Sequence, residues 1–549
     1  MCANESHQLI GRFRQKFILH DDPRCRAILL VPPEIEPAIT DAFWRDAALL
    51  DVHRKEEFES FLSKLEFDFG LCLIKDDEVM LACGPRRFIR LYFQITDRTI
   101  LVCDHLPGYR SLEEAVNSLD MDALVSHWGN SLAAGSFEVH RSLQSINKNW
   151  YTVPNGHTVS IRVEPSGPFQ APKSASPFDN LWNGFSPSTE SPTVKAEKAL
   201  VCLRRSIERL TVAGNLCSEI SGGIDSGIIA SLANRHLSER FIGGVSSEYP
   251  FFEFEREKRF RADLYRHIDT RKIVVDWDVS MPFVRSHQVP AHDEPTIDAT
   301  NWSIFDASCK SARDNGAAVL LTGNGGDRLF RQNPYSGRDL TITDERRPEW
   351  FPNRLYDECI DEAKSVHRHL YAATSSGIVG EWNGAMFEAG LTRYFGALGA
   401  HPILYRSGYL DRSFIRAIAD LWSGYPHRPQ TMQKPLAHMI FSKYLPDSVW
   451  YRPGKVNHVG ITYRGMRAAR ETLIGMANDG KALFDAIGIP YKAFLTALSD
   501  AGAGRDCANT FITLVASLLM WASGFKQELS RSDDCQEVRL FISPSPSFI

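Results

Sequence analysis

The ten residues from Ser218 to Gly227, Ser-Glu-Ile-Ser-Gly-Gly-Ile-Asp-Ser-Gly, constrain the fold more than any other stretch of this chain. They read as the end of a short strand, a serine- and glycine-rich turn, and the opening of a helix. Gly222 and Gly223 carry no side chain, so their backbone N–H groups can close on an anion, and the helix beginning near Asp225 adds its dipole to the attraction. A carboxylate beside bound phosphates makes sense when a divalent cation lies between them, so Asp225 turns a phosphate cradle into a metal-pyrophosphate site. A kinase-type P-loop is excluded, because that motif needs a lysine after its glycines and none follows here.

About a hundred residues on, Ala317 to Phe330 (AAVLLTGNGGDRLF) repeats the logic: an apolar run suited to a buried parallel strand, then a glycine-rich turn with one acid. Two such turns can face one metal ion. Between them Phe241 to Ser246 (FIGGVS) reads as another strand. Residues 164–192 are rich in proline, serine and glycine with little periodicity, which marks an interdomain linker. Thr193 to Val212 follows helical periodicity and leads into the phosphate-loop strand. From there strands alternate with helical stretches, as in a doubly wound parallel sheet whose ligand sits at the carboxyl ends of the strands.

Ser221-Gly222-Gly223-Ile224-Asp225-Ser226 resembles the S-G-G-x-D-S signature of the ATP pyrophosphatases that include asparagine synthetases. The resemblance implies cleavage of ATP between its α and β phosphates to make an acyl-adenylate, which an amine attacks to give an amide. Leu321 to Asp327 (LTGNGGD) resembles the second motif of that family, S-G-x-G-x-D-E, and so places Gly323, Asn324 and Gly325 at the nucleotide and Asp327 beside Asp225 on magnesium. By the same resemblance, Ser246 and Glu257 belong near the nucleotide, and Asp293-Glu294-Pro295 matches a further catalytic acid cluster. The segment Val449 to Lys455 (VWYRPGK) resembles the one ending in the family's essential lysine, and Lys434 lies where the family often has a base on the phosphates. A point charge such as Lys455 suits the negative charge that develops when the adenylate is attacked. His401, beside Pro402, stands in another stretch resembling the family and is a candidate proton acceptor.

Asparagine synthetases carry a nucleophilic cysteine directly after the initiator methionine, and Cys2 does follow Met1. The expected Cys-Gly-Ile start is replaced by Cys2-Ala3-Asn4-Glu5, and the motifs that bind a glutamine amide are missing, so a frayed terminus without glutaminase activity is the expectation. Residues 60–165 keep the layout of that domain: alternating apolar segments at Phe69 to Ile74, Leu91 to Ile95 and Thr99 to Cys103, then a hairpin signal at Pro154-Asn155-Gly156. Degenerate N-terminal domains of this kind occur in β-lactam synthetases and in the cyclases that make lasso peptides. Gly84-Pro85, Val153 to Gly156 and above all Gly323 to Pro334 (GNGGDRLFRQNP) are more similar to lasso cyclases. Where asparagine synthetases place a glutamate and β-lactam synthetases a tyrosine, this chain has Asn324. A peptide's α-amino group titrates near pH 8, so attack by a free N-terminus needs no strong base.

Composition sets limits. A chain of 549 residues with 43% apolar content has ample core for two to four domains. A formal charge of −5, without basic runs, leaves no electrostatic footprint for nucleic acid. Eleven cysteines without a C-x-x-C pair or zinc spacing suit reduced thiols in a cytosol. No signal peptide is read at the N-terminus, and the longest apolar run, Phe511 to Phe525, is too short to span a bilayer and reads as a buried helix.

The sequence thus predicts an α/β protein: a degenerate, β-rich glutaminase-like domain over 1–163, a linker over 164–192, a parallel-sheet ATP-pyrophosphatase domain over 193–529 and a mobile tail over 530–549. The resemblance implies a cytoplasmic, ATP- and Mg2+-dependent ligase that adenylates an Asp or Glu side chain of a precursor peptide and closes an isopeptide ring with the peptide's N-terminus. It also implies a leader peptidase and a leader-binding protein as partners. A glutamine-dependent asparagine synthetase and a β-lactam-type cyclase of a small amino acid are the alternatives.

Overall fold

The computed structural model describes residues 7–13, 17–22, 25–31, 62, 69–75, 78–84, 89–96, 98–106, 109, 111–134, 143–154, 156–162, 172–175, 187–210, 214–249, 255–290, 292–330, 347–372, 403–423, 434–452, 459–505, 509–528 and 536–542. The chain divides into two compact units, residues 1–124 with 139–185 and 527–549, and residues 125–138 with 186–526.

The first unit holds two layers of strands: β1 (His7–Phe13), β2 (Phe17–Asp22), β3 (Cys25–Leu30), β4 (Gly70–Lys75), β5 (Glu78–Cys83), β6 (Tyr92–Ile95), β7 (Thr99–Cys103), β8 (Tyr151–Thr152), β9 (Thr158–Arg162) and β10 (Lys173–Ala175). One sheet has the order C-terminal strand Gln536–Ile542, β1, β7, β6, β8, and the other β10, β9, β5, β4, β3, β2. Leu9, Phe93, Ile100 and Val102 of the first sheet share one apolar core with Ile28, Cys72, Leu81 and Val159 of the second. Facing sheets of half-apolar strands bury their inner side chains in this way.

Two expectations change here. The turn at Pro154 to Gly156 does form, with the His157 N–H donating to the Pro154 carbonyl at 3.0 Å and Gly156 at φ +65°. It closes no hairpin, because Thr152 pairs with Tyr92 while Thr158 pairs with Ala82. The turn carries the chain from one layer to the other, and Val153 and Val159 on either side of it both enter the shared core. The tail, expected to be mobile, contains the strand Gln536–Ile542, antiparallel to β1 from His7 opposite Ile542 to Phe13 opposite Gln536. Its alternation places Val538 and Leu540 against the core, which a free tail would leave in water. Part of the linker is also ordered: β10 pairs with β9.

The second unit is organised by a five-stranded sheet of β11 (Leu216–Glu219), β12 (Phe241–Ser247), β13 (Lys272–Val275), β14 (Val319–Leu321) and β15 (Leu404–Arg406), in the order β13-β12-β11-β14-β15. Every neighbouring pair is parallel. Crossovers run through the helices Ile224–His236, Glu255–Ile268 and Trp302–Asp314. Ile224–His236 is apolar nearly all round, with Ile228, Ile229, Ala230, Leu232 and Ala233 buried, because it is covered on both sides. The order reverses between β11 and β14, and ligands of such sheets bind beyond the carboxyl ends of the strands at that switch.

Helices complete the unit. Asn509–Glu528 buries Phe511, Ile512, Leu514, Val515, Leu518 and Trp521, as read for the apolar run. Among the described residues no helix is long and apolar enough to cross a membrane.

Candidate functional site

The carboxyl end of β11 runs directly into Ile220-Ser221-Gly222-Gly223, and the helix Ile224–His236 starts there with Gly223 as its N-cap. Gly222 sits at φ +90°, a conformation that a side chain would strain. The serines hold the loop closed: Ser221 and Ser226 hydroxyls are 3.0 Å apart, the Ser221 N–H donates to Ser226 Oγ at 3.2 Å, and the Gly223 N–H donates to Ser221 Oγ at 3.3 Å. The first helical turn therefore points its dipole into the space beyond the strand end.

Because β14 lies beside β11, its own turn meets this loop. A Cβ on Gly323 would lie 2.5 Å from the backbone nitrogen of Ser226, and one on Gly326 would lie 2.5 Å from Cγ of Asp225. Gly325 takes φ +90° to turn the chain back. Glycine at these positions is what lets two acid-bearing turns touch. The Tyr409 hydroxyl donates to the Asp225 carbonyl at 3.0 Å, and the Ser407 hydroxyl donates to the Asn324 carbonyl at 2.6 Å. Burial pushes the Tyr409 phenol well above its ordinary pKa, and the nearby Asp225 and Asp327 push it the same way, so it stays a donor.

Between the turns lies a cation. Nζ of Lys434 is 2.6 Å from Oδ1 of Asp225 and 2.7 Å from Oδ1 of Asp327. Burial draws the lysine pKa down, but the two carboxylates more than offset it, and the ammonium is held above the ordinary lysine value. Two hard carboxylate oxygens converging on one cationic centre, with a phosphate cradle beside them, form a donor set that would fit magnesium. Asp225 and Asp327 are the residues that would hold it.

A cavity of about 380 Å3 opens over these groups. Ser221, Gly223, Asp225, Ser226, Glu257, Gly323, Asn324, Asp327 and Lys434 line it, so most of the residues read from the sequence do converge. Ser246 is placed differently: it is buried, its hydroxyl donates to the Ile220 carbonyl at 2.6 Å and meets the Tyr265 hydroxyl at 2.8 Å, and its neighbour Ser247 takes the place on the cavity wall. Gly222 and Gly325 shape the turns from behind. Asp293 and Glu294 do not line this cavity; Glu294 is 0% exposed, and the Asp293 carbonyl accepts from Trp521 Nε1 at 3.2 Å. Cys2, His401 and Lys455 lie outside the described residues.

Three residues of the site were missed by the sequence reading. Arg452 donates to the Gly222 carbonyl at 2.9 Å, pairs with Glu257 at 3.1 Å and lies 5.4 Å from the centre of the Phe260 ring, which ties the phosphate loop to the helix Glu255–Ile268. It belongs to the segment chosen for Lys455, and that company was its signal. Arg261 also lines the cavity and donates to the Ser247 carbonyl at 2.9 Å. Glu219, the last residue of β11, accepts from the Tyr405 hydroxyl at 3.3 Å; burial pushes its pKa up to about 7, against the opposing pull of bonds from Thr322 and Tyr405. An acid at the end of a buried strand was its only mark.

A strand–turn–helix cradle facing an acid pair is a device for binding and splitting a nucleoside triphosphate. The family model for asparagine synthase matches residues 201–523, which include both turns, Lys434 and Arg452. The chain belongs to the asparagine synthase family. Members of that family form carbon–nitrogen bonds at the expense of ATP, so this asparagine synthase-family protein is an ATP-dependent ligase of the amide-forming kind. No curated protein matches the chain.

Proposed function

We propose that this ligase is a peptide cyclase of the lasso macrolactam type: it adenylates an Asp or Glu side chain of a precursor peptide, and the peptide's own N-terminal amine displaces AMP to close an isopeptide ring. The observation that carries this reading is Asn324. It lines the cavity at the position where asparagine synthetases resemble this motif with a glutamate and β-lactam synthetases with a tyrosine. A neutral amide there does not serve as a base, and a peptide N-terminus, already partly neutral near pH 8, has less need of a strong one. The buried Nδ2 of Asn324 has no hydrogen-bond partner among the described residues, so it offers a donor to a carbonyl or phosphate oxygen.

In this reading the Ser221–Ser226 loop and the helix dipole bind the pyrophosphate portion of ATP, and Arg452 holds the loop in shape. When bound, magnesium supplies charge neutralisation between the acid pair and the phosphates. The α-phosphate is attacked by the peptide carboxylate; the Pα–O bond to pyrophosphate breaks as the acyl–phosphate bond forms. The amine nitrogen then adds to the acyl carbon and AMP leaves, with one proton released. Catalysis rests on holding amine and adenylate together. Precursor peptide, leader peptidase and leader-binding protein are the partners this reading carries.

The test is incubation with ATP, magnesium and a peptide bearing a free N-terminus and an internal acid, following AMP, pyrophosphate and peptide mass. AMP release with loss of one water from the peptide, abolished by Asp225→Ala, is expected. AMP formation only with aspartate and an ammonia source, the peptide unchanged, would replace the reading by an asparagine synthetase.

A further inference from the structure

The contact between Lys434 and the acid pair has a consequence for how a metal ion can reach the site. The ammonium is bonded to Asp225 and Asp327 at once, at 2.6 and 2.7 Å. A divalent ion bridging those carboxylates would need the same place, since both oxygens of Asp225 and Oδ1 of Asp327 turn toward that point. Two positive charges placed together there would repel one another, more strongly in a part-buried cavity than in water. Lys434 itself precedes the helix Pro435–Phe441, with its backbone at φ −138° and ψ 71° as the N-cap, so its long stem leaves from the start of that helix. Lys434 lines the same cavity as Ser221 and Gly223, so phosphates received at that turn would be its alternative anions.

We propose that Lys434 is a built-in competitor for the divalent cation: it neutralises Asp225 and Asp327 before nucleotide binds, and gives way when incoming phosphates accept its ammonium, so that the metal enters with the nucleotide and not ahead of it. The inference rests on the reading of Asp225 and Asp327 as the metal pair, and it deepens that reading by assigning an order of binding. It gives the lysine two sets of partners, carboxylates first and phosphates afterwards. The acid pair is thereby kept from scavenging divalent ions in the absence of nucleotide.

The experiment is titration of the nucleotide-free full-length protein with Mn2+, followed by the electron paramagnetic resonance signal of free manganese. Lys434→Met keeps the length of the stem and removes the charge, and Lys434→Gln does the same with a polar end should the methionine variant fold poorly. Either neutral variant is expected to bind Mn2+ about tenfold or more tightly than wild type, the size of one charge-assisted hydrogen bond. Adding Asp225→Asn should erase the gain. Equal Mn2+ affinity in wild type and both variants, with Asp225→Asn weakening all three, would overturn the competition while leaving the metal pair intact. A gain that survives Asp225→Asn would overturn the metal pair itself.

Discussion

Gly326 and Asp225 stand so close that a Cβ on the glycine would lie 2.5 Å from the aspartate's Cγ. Ordinary contact between carbon atoms is 3.5–4.0 Å. The acid turn after β14 can reach the phosphate loop after β11 only because this position has no side chain. Gly326→Ala is therefore expected to push the two carboxylates apart, lowering AMP formation by about two orders of magnitude, as for other misplaced charged groups in an active site. Stability should change much less than activity. Denaturation and ATP-turnover measurements on the same variant separate the two, and unaltered turnover would show that the turns need not touch.

Arg452 and Glu257 form a pair whose side chains are almost wholly buried. Arg452→Ala would leave a carboxylate near the cavity without this cation and the Gly222 carbonyl without this donor. Breaking a buried pair from one side costs roughly 3–5 kcal/mol. A chemical denaturation midpoint shifted accordingly is the expected result, with Arg452→Lys intermediate because an ammonium cannot reproduce the two-pronged contact.

Glu219 gives a pH dependence with a definite sign. Burial raises its pKa from 4.5 to about 7 in the folded protein, so between those values the native state binds more protons than the unfolded chain. The contribution of the neutral carboxyl is complete below pH 4.5 and is lost as pH rises through 7. Glu219→Gln keeps the hydrogen-bonding shape without the ionisation. Its melting temperature should therefore gain on that of wild type as pH is raised from 5 to 8, by several degrees at the upper end. Parallel melting curves across that range would contradict the shift.

Tyr409 donates its hydroxyl to the Asp225 carbonyl, fixing the first turn of the helix that carries the acid. Tyr409→Phe removes one buried hydrogen bond and leaves the ring packed against Phe330 and Phe414. A stability loss of about 0.5–1.5 kcal/mol is expected for the loss of that one hydrogen bond. The Michaelis constant for ATP should rise with it, as measured by AMP release, because the acid then sits less firmly.

Much of the site was legible before any fold was known. The glycines at 222, 223, 323 and 325 and the acids at 225 and 327 announced themselves through short-range rules: glycines whose bare backbone can close on an anion, an apolar run that suits a buried strand, a helix start that favours an anion. The buried helix Asn509–Glu528 was equally plain, because its apolar content exceeds what a surface helix carries. Each of these signals lies within one continuous stretch of the chain.

What the tertiary structure alone decided involves partners distant in the chain. Lys434 meets Asp225 across 209 positions, and Arg452 meets Gly222 across 230. Glu219 is unremarkable until Tyr405 and Thr322 close around it and burial penalises its charge. The strands on either side of Pro154 to Gly156 look like a hairpin locally, yet join different sheets, since pairing depends on which strands already occupy each layer. The last strand, Gln536–Ile542, completes the edge beside β1, more than five hundred residues earlier. Backbone conformation is dictated by neighbours along the chain, and so the sequence determined the turns, the strands and the acids they carry. Strand order and burial are collective, settled by which apolar faces cover one another, and they placed the lysine between the acids, set the arginine against the loop and raised the pKa of the glutamate.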